Sequence, residues 1–408
     1  MNRLSLDNGG TRYFHPSITI KAALNVDSAL HVAQSVESDT YFIVPDTGTI
    51  NNLYVTLSAA PTAGKSWIFT VTKGGVDTTV TTTISDSATT GNSSGNSFSV
   101  VAGDLISIKQ TSSGTPTNTT AIISLEVAGT VSGRSAISGG TVALNANTWL
   151  PTGVFYNLST GTTTTNRNRA YRLVPHALTI TGIYVNMTTA PGVGASRTFS
   201  LVEGPFGSAN AIAGATVTIS GTSTSGNVTG LSEAMVAEDL LFMQESVAGG
   251  PAASSAMYTI VVEAATNGNS WLQGIFGVTG RADGYAPLVG ADFNLTNGLS
   301  TDDVYVGGTE FSLLNFYIQL DSGFSAADAK VMALQKNGSD TALTFTLQTS
   351  TQVGSNIVDT VSVATGDDLN IRVDHTGTGT GTGQIGNISF TQYVPPGGVK
   401  NLPLLGVG

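Results

Sequence analysis

Apolar and polar residues alternate along most of this chain with a period of two. Trp67, Phe69 and Val71 share one side of a stretch whose other side is Ile68, Thr70 and Thr72, the period of a half-buried antiparallel strand. Runs of the same kind cover Tyr41 to Val44, Ile50 to Leu57, Val80 to Ile84, Phe98 to Val101, Leu105 to Gln110 and Ala121 to Val127. Between them stand turn residues: Lys73-Gly74-Gly75 and Lys336-Asn337-Gly338, the second containing an Asn-Gly pair suited to a type I′ hairpin. The one helix-like stretch, Ser325 to Leu334, aligns with the strand beginning at Trp67 and is read as a loop followed by a strand.

The pattern occurs three times. Tyr41-Phe-Ile-Val-Pro45 with Thr49 to Pro61 matches Tyr171-Arg-Leu-Val-Pro175 with Thr179 to Pro191. Val304-Tyr-Val-Gly-Gly308 with Ser312 to Leu320 keeps the register. Tyr54, Tyr184 and Tyr317 fall at the same place in each copy, roughly 130 residues apart. Downstream come Val101-Ala-Gly-Asp104, Val236-Ala-Glu-Asp239 and Thr365-Gly-Asp-Asp368, which align Asp104, Asp239 and Asp368. A period of that length is a whole domain, not a solenoid repeat. The expected fold is therefore all-β: three tandem antiparallel β-sandwich domains, jelly-roll-like because about eight strands each suit that topology better than an immunoglobulin one. The limits drawn are an N-terminal arm and leading strand over 1–35 (with Ser17 to Leu24 strand-like), domains over 36–130, 131–266 and 267–394, and a tail over 395–408. The leading segments Thr148 to Tyr156 and Tyr285 to Phe293 contain proline and read as edge strands.

Composition narrows the function. Only 11 % of the 408 residues are charged, about half the usual share. At 40 % apolar with clean alternation, the chain is no disordered Ser/Thr-rich linker. A net charge of −11 excludes nucleic-acid binding as the expected role, since nothing would replace counterions on phosphates. The basic cluster of Arg167, Arg169 and Arg172 reads as a solvated loop. With no cysteine, neither disulfides nor thiolate metal sites are available, and each domain must rest on its own core. No apolar run reaches the roughly 20 residues that span a bilayer, so no membrane partner is expected. The opening Met1 to Gly10 lacks the apolar core of a secretory signal. Such a chain is expected to leave its cell of origin by lysis.

Candidate chemistry is sparse. His15, His31, His176 and His375 occupy unrelated positions and form no metal-spaced pair, so no catalytic, cofactor or metal residue is assigned. Gly377 to Gly383 has the composition of a phosphate loop but no following Lys-Ser/Thr, and reads as a flexible loop. Asp104, Asp239 and Asp368 are candidate calcium ligands, but calcium takes six to eight oxygens and each copy offers one or two acids there. A turn aspartate accepting backbone N–H groups is the simpler reading. Tyr54, Tyr184 and Tyr317 could form a row stacking on a surface glycan, although their apolar neighbours favour packed or half-buried rings. Of the tryptophans, Trp67 points into a core, while Trp149 and Trp271 fall near domain junctions.

Two stretches, Gly64 to Val80 and Leu334 to Phe345, resemble β-sandwich modules of tailed-bacteriophage virion proteins, such as capsid decorations and fibres. The resemblance implies a non-enzymatic structural role in a virion, with capsid or tail proteins as partners and a symmetric homo-oligomer as the working form. A carbohydrate- or receptor-binding adhesin and a self-assembling extracellular filament are the alternatives.

Overall fold

The computed structural model describes residues 4–6, 12–14, 37–117, 119–129, 134–141, 144, 149–150, 155–156, 172–204, 210–278, 284–286, 288, 290–292, 305–306, 310–320, 328–348, 351–364, 367–377 and 384–394. The stretch Ser17 to Leu24, the cluster Arg167 and Arg169, His15, His31, residues 378–383 and the tail 395–408 lie outside them.

The first domain contains β1 (Leu4–Leu6), β2 (Arg12–Phe14), β3 (Phe42–Ile43), β4 (Gly48–Leu57), β5 (Thr62–Lys73), β6 (Val76–Asp86), β7 (Thr90–Asn92), β8 (Ser97–Val100), β9 (Leu105–Ser113) and β10 (Thr119–Gly129). The second has β11 (Arg134–Thr141), β12 (Trp149–Leu150), β13 (Phe155–Tyr156), β14 (Arg172–Leu173), β15 (Leu178–Met187), β16 (Gly192–Glu203), β17 (Asn210–Gly221), β18 (Ser225–Met235), β19 (Leu240–Ala248) and β20 (Ala256–Ala264). The third has β21 (Asn269–Val278), β22 (Gly284–Ala286), β23 (Gly290–Asp292), β24 (Tyr305–Val306), β25 (Phe311–Leu320), β26 (Asp328–Lys336), β27 (Ser339–Leu347), β28 (Val353–Val363), β29 (Asp368–Gly377) and β30 (Gln384–Tyr393).

Each domain is two five-stranded sheets. In the first, β1-β10-β4 carries both β7 and β8 on β4, and β9-β5-β6 carries both β2 and β3 on β9. The others repeat this as β13-β11-β20-β15-β18 with β12 and β14 on β19-β16-β17, and β23-β21-β30-β25-β28 with β22 and β24 on β29-β26-β27. Counting eight strand positions per domain, one sheet runs 1-8-3-6 and the other 2-7-4-5 in all three. That is the jelly-roll order. Pairing is antiparallel except for two short edge contacts, β13 on β11 and β23 on β21. The segments around Trp149 and Tyr285 are edge strands, as their prolines suggested. Within the N-terminal arm and leading strand drawn over 1–35, Leu4–Leu6 pairs with β10 and Arg12–Phe14 with β9 of the first sandwich.

The alternation drives these pairs of sheets together. Trp67, Phe69 and Val71 are fully buried between the sheets of the first domain, as are Phe199 and Leu201 in the second and Met332 and Leu334 in the third. Ser325 to Leu334 ends in strand β26 and not in a helix. Both hairpin turns contain consecutive left-handed residues, Gly74 (φ 55) with Gly75 (φ 83) and Asn337 (φ 52) with Gly338 (φ 76). This is the type I′ geometry that glycine and asparagine tolerate.

One irregularity recurs and matters for the site. In β4, β15 and β25 an extra residue is inserted against the last strand, between Asn51 and Tyr54, Ile180 and Gly182, and Leu314 and Tyr317. Asn52 (φ 50) and Asn315 (φ 52) take the left-handed conformation at this bulge, and Gly182 stands at the matching place in β15. A bulge shifts the face on which all later side chains emerge. Ile50 and then Leu53, Val55 and Leu57 face the core, so Tyr54 is turned outward. Strict two-residue alternation from Ile50 would have sent it inward.

Candidate interaction surfaces at the domain joints

Two of the three outward tyrosines, Tyr184 and Tyr317, stand where domains meet. Tyr317 on β25 packs with Leu173, Val202, Leu240 and Phe242 from the second domain in a cluster separate from the three sandwich cores. Its ring is 2 % exposed. Burial raises its hydroxyl pKa, and the nearby Glu238 carboxylate pushes in the same direction. Polar groups frame the cluster. Asn315, at the bulge, donates from Nδ2 to the Pro175 carbonyl at 2.9 Å and to Thr391 Oγ1 at 3.2 Å. His176 Nδ1 lies 2.8 Å from the same hydroxyl. Arg172 donates from Nη1 to Asn387 Oδ1. Trp271 on β21, the register partner of Thr391 on β30, joins the apolar cluster of the second domain and donates from Nε1 to Ser389 Oγ at 3.2 Å. Burial lowers the His176 pKa from 6.5 to about 4, so the imidazole here is neutral.

The first joint has the same plan. Strand β3 lies against β15 and β20, and Ile43 is buried there. Gly103 approaches Tyr184 closely enough that an added Cβ would stand 3.9 Å from the ring. Arg134 Nη1 reaches Asp46 at 3.4 Å while its Nη2 binds Glu263 Oε1 at 2.5 Å. Burial raises the Tyr184 pKa, with Arg134 opposing and Asp46 adding to the shift. In both joints, then, the end of one jelly roll, built from the strand before Pro45 or Pro175 and the turn near Gly103 or Glu238, meets the sheet face around the next domain's tyrosine. The conserved spacing between those prolines and tyrosines was visible in the sequence; that one belongs to an end and the other to a face was not.

Tyr54 occupies the corresponding place on the first domain. It sits across from Ser124, as Tyr184 sits across from Thr259 and Tyr317 from Ser389. It is 47 % exposed, and Thr56 beside it is exposed too. The three tyrosines therefore do not form one stacking platform: one ring is open, one is half-buried and one is sealed.

The recurring aspartates are turn residues, with one correction to their alignment. Asp104 Oδ2 accepts the Val101 N–H and Asp239 Oδ2 accepts the Val236 N–H, each at 2.7 Å. In the third domain Asp367, not Asp368, makes this bond, to the Ala364 N–H at 2.7 Å. Asp368 instead opens β29 at the position of Leu105 and Leu240, with its carboxyl pKa raised by burial and by Asp367. Doubled aspartates made the register ambiguous. Lys73 pairs with Asp104 at 2.6 Å and Lys336 with Asp367 at 2.7 Å. Lys336, the Ala364 N–H and Asn337 together lower the Asp367 pKa to about 2. Glu203 takes the lysine's place in the second domain, and burial, Asp239 and Glu233 raise its pKa.

Arg172 corrects another expectation. The sequence groups it with a solvated basic loop, yet it is fully buried in β14. His375 pairs with Asp328 at 3.3 Å. Among the described residues no three His, Asp or Glu side chains converge as a metal site, and no helix is long and apolar enough to cross a membrane.

No protein-family model and no curated protein matches the chain. Among solved structures, the exported protein XepA of PBSX covers 54 % of this chain and 84 % of its own at 8 % identity and a TM-score of 0.15. A structure of the infectious bursal disease virus Gx strain covers 97 % and 79 % at 9 % identity and a TM-score of 0.19. PNGF-II covers 70 % and 75 % at 8 % identity and a TM-score of 0.21. Overlaps this loose do not bear on what the chain does.

Proposed function

We propose that the chain is a non-enzymatic structural protein of a virion, a capsid decoration or appendage component that binds capsid or tail proteins. The observation that carries this reading is the joint around Tyr317. Apolar contact and hydrogen bonds from Asn315, His176 and Arg172 lock one jelly roll onto the next. Domains coupled in this way present several surfaces in fixed relation, and weak contacts along one chain add through effective concentration, which suits attachment to a symmetric shell. The resemblance of Gly64 to Val80 and Leu334 to Phe345 to phage virion modules points the same way. Mass spectrometry and electron microscopy of purified particles test it: the protein is expected at stoichiometric copy number, and its absence from particles would reject the proposal.

The adhesin alternative retains one specific feature, the open ring of Tyr54. Binding on a glycan array that is abolished by Tyr54→Ala would favour it; an intact protein that binds no glycan would remove it.

A further inference from the structure

We infer that the open face around Tyr54 is a docking surface for a second copy of this chain, and that it receives the end of that copy's third domain. Two joints within the chain are built alike, an end of one jelly roll on the tyrosine-bearing face of the next. Three domains in series use two such faces and two such ends. Among the described residues, what remains is one face, on the first domain, and one end, on the third.

The remaining end is built like the end that docks at the first joint. Lys336 and Asp367 pair at 2.7 Å as Lys73 and Asp104 do at 2.6 Å. Both aspartates accept the N–H three residues back at 2.7 Å. The adjoining hairpins share two left-handed residues, Gly74-Gly75 and Asn337-Gly338. Strand β24 meets β29 as β3 meets β9, with Val306 opposite Asp368 where Ile43 stands opposite Leu105. The remaining face is likewise built like the one used at the first joint, Tyr54 against Ser124 for Tyr184 against Thr259. A contact between unlike surfaces does not close on itself in a pair; it propagates into a ring or a filament. Asp368 replaces the leucines found at its position in the other two ends, so this contact is weaker than the Tyr317 joint and depends on concentration.

The inference is independent of any place in a virion, and the two fail separately, since particle composition does not report on association of the purified chain. The test is sedimentation of the full-length protein over roughly 1 to 100 µM, the range in which small interfaces associate. The weight-average mass is expected to rise above the 41.6 kDa of one chain. Tyr54→Arg blocks the face, and Asp368→Arg alters the end while relieving the repulsion from Asp367. Each variant alone is expected to stay at single-chain mass. An equimolar mixture supplies one good face and one good end, and is expected to form dimers and nothing larger. Far-ultraviolet circular dichroism confirms that both variants fold. Wild-type protein at single-chain mass throughout, a variant that associates as wild type does, or a mixture that fails to dimerise would each overturn the inference.

Discussion

Three tyrosines at one register position in three copies of one fold make an internal scale for what burial at a joint is worth. Truncating Tyr317 removes a ring that is 2 % exposed and opens a cavity among Leu173, Val202, Leu240 and Phe242. Loss of a buried aromatic to alanine costs about 3–5 kcal/mol, from lost transfer energy and the cavity left behind. Tyr54, 47 % exposed, should cost about 0.5 kcal/mol or less when replaced, as surface residues do. Tyr184, half-buried, belongs between them at about 1–2 kcal/mol. For domains of this size 1 kcal/mol moves a transition by about 3–5 °C, so Tyr317→Ala should lower the melting of the second and third domains by about 10 °C or more. Scanning calorimetry of the full chain is the assay, because tandem domains do not unfold as one two-state unit and each transition must be followed. Tyr317→Ala should also separate the transitions of the second and third domains. Equal shifts for all three alanine variants, or none for Tyr317→Ala, would refute the picture of graded joints.

The same joint should be sensitive to acid through His176, whose pKa falls from 6.5 to about 4 on burial. The unfolded chain takes up this proton before the folded one does, so stability is greatest above about pH 6.5, declines as pH falls toward 4, and levels below it. The loss is roughly 3 kcal/mol at full extent, and thermal melts of His176→Gln should lack this component between pH 4 and 6.5. Asp367, held at a pKa of about 2, contributes stability that is present above its ordinary value of 3.8 and lost as pH falls through 2; Asp367→Asn should flatten the third domain's response in that window. Glu203→Lys places a cation beside Asp239 where the other two domains have one, and should stabilise the second domain by about 0.5 kcal/mol in denaturant titration, less at high salt. The buried pair Arg197 Nη1 to Glu245 Oε1, at 2.5 Å, gives an asymmetric expectation. Arg197→Met alone should cost about 3–5 kcal/mol by removing the cation from a buried carboxylate, whereas adding Glu245→Leu should recover most of it, as equilibrium unfolding of the two variants would report.

Much of the fold was legible because its cause is local. Trp67, Phe69 and Val71 alternate with Thr70 and Thr72 in the sequence as they do across the sheet, and Lys336-Asn337-Gly338 names its own turn. The site was less legible. Tyr54, Tyr184 and Tyr317 stood out by their spacing, but the bulge at Asn52, Gly182 and Asn315 breaks the two-residue period that would have told their direction. Arg172 looked like one more basic residue near a polar loop, because nothing local shows that Asn387, 215 residues later, accepts its hydrogen bond in a buried joint.

By itself the chain determined its strands, their turns and its threefold repetition, since steric preference and burial of alternate residues act over a few neighbours. Only the tertiary structure decided which outward faces meet. Three nearly identical tyrosines became an open, a half-covered and a sealed ring through their place in the row, for burial at a joint depends on the domain that arrives there and not on the residues that wait for it.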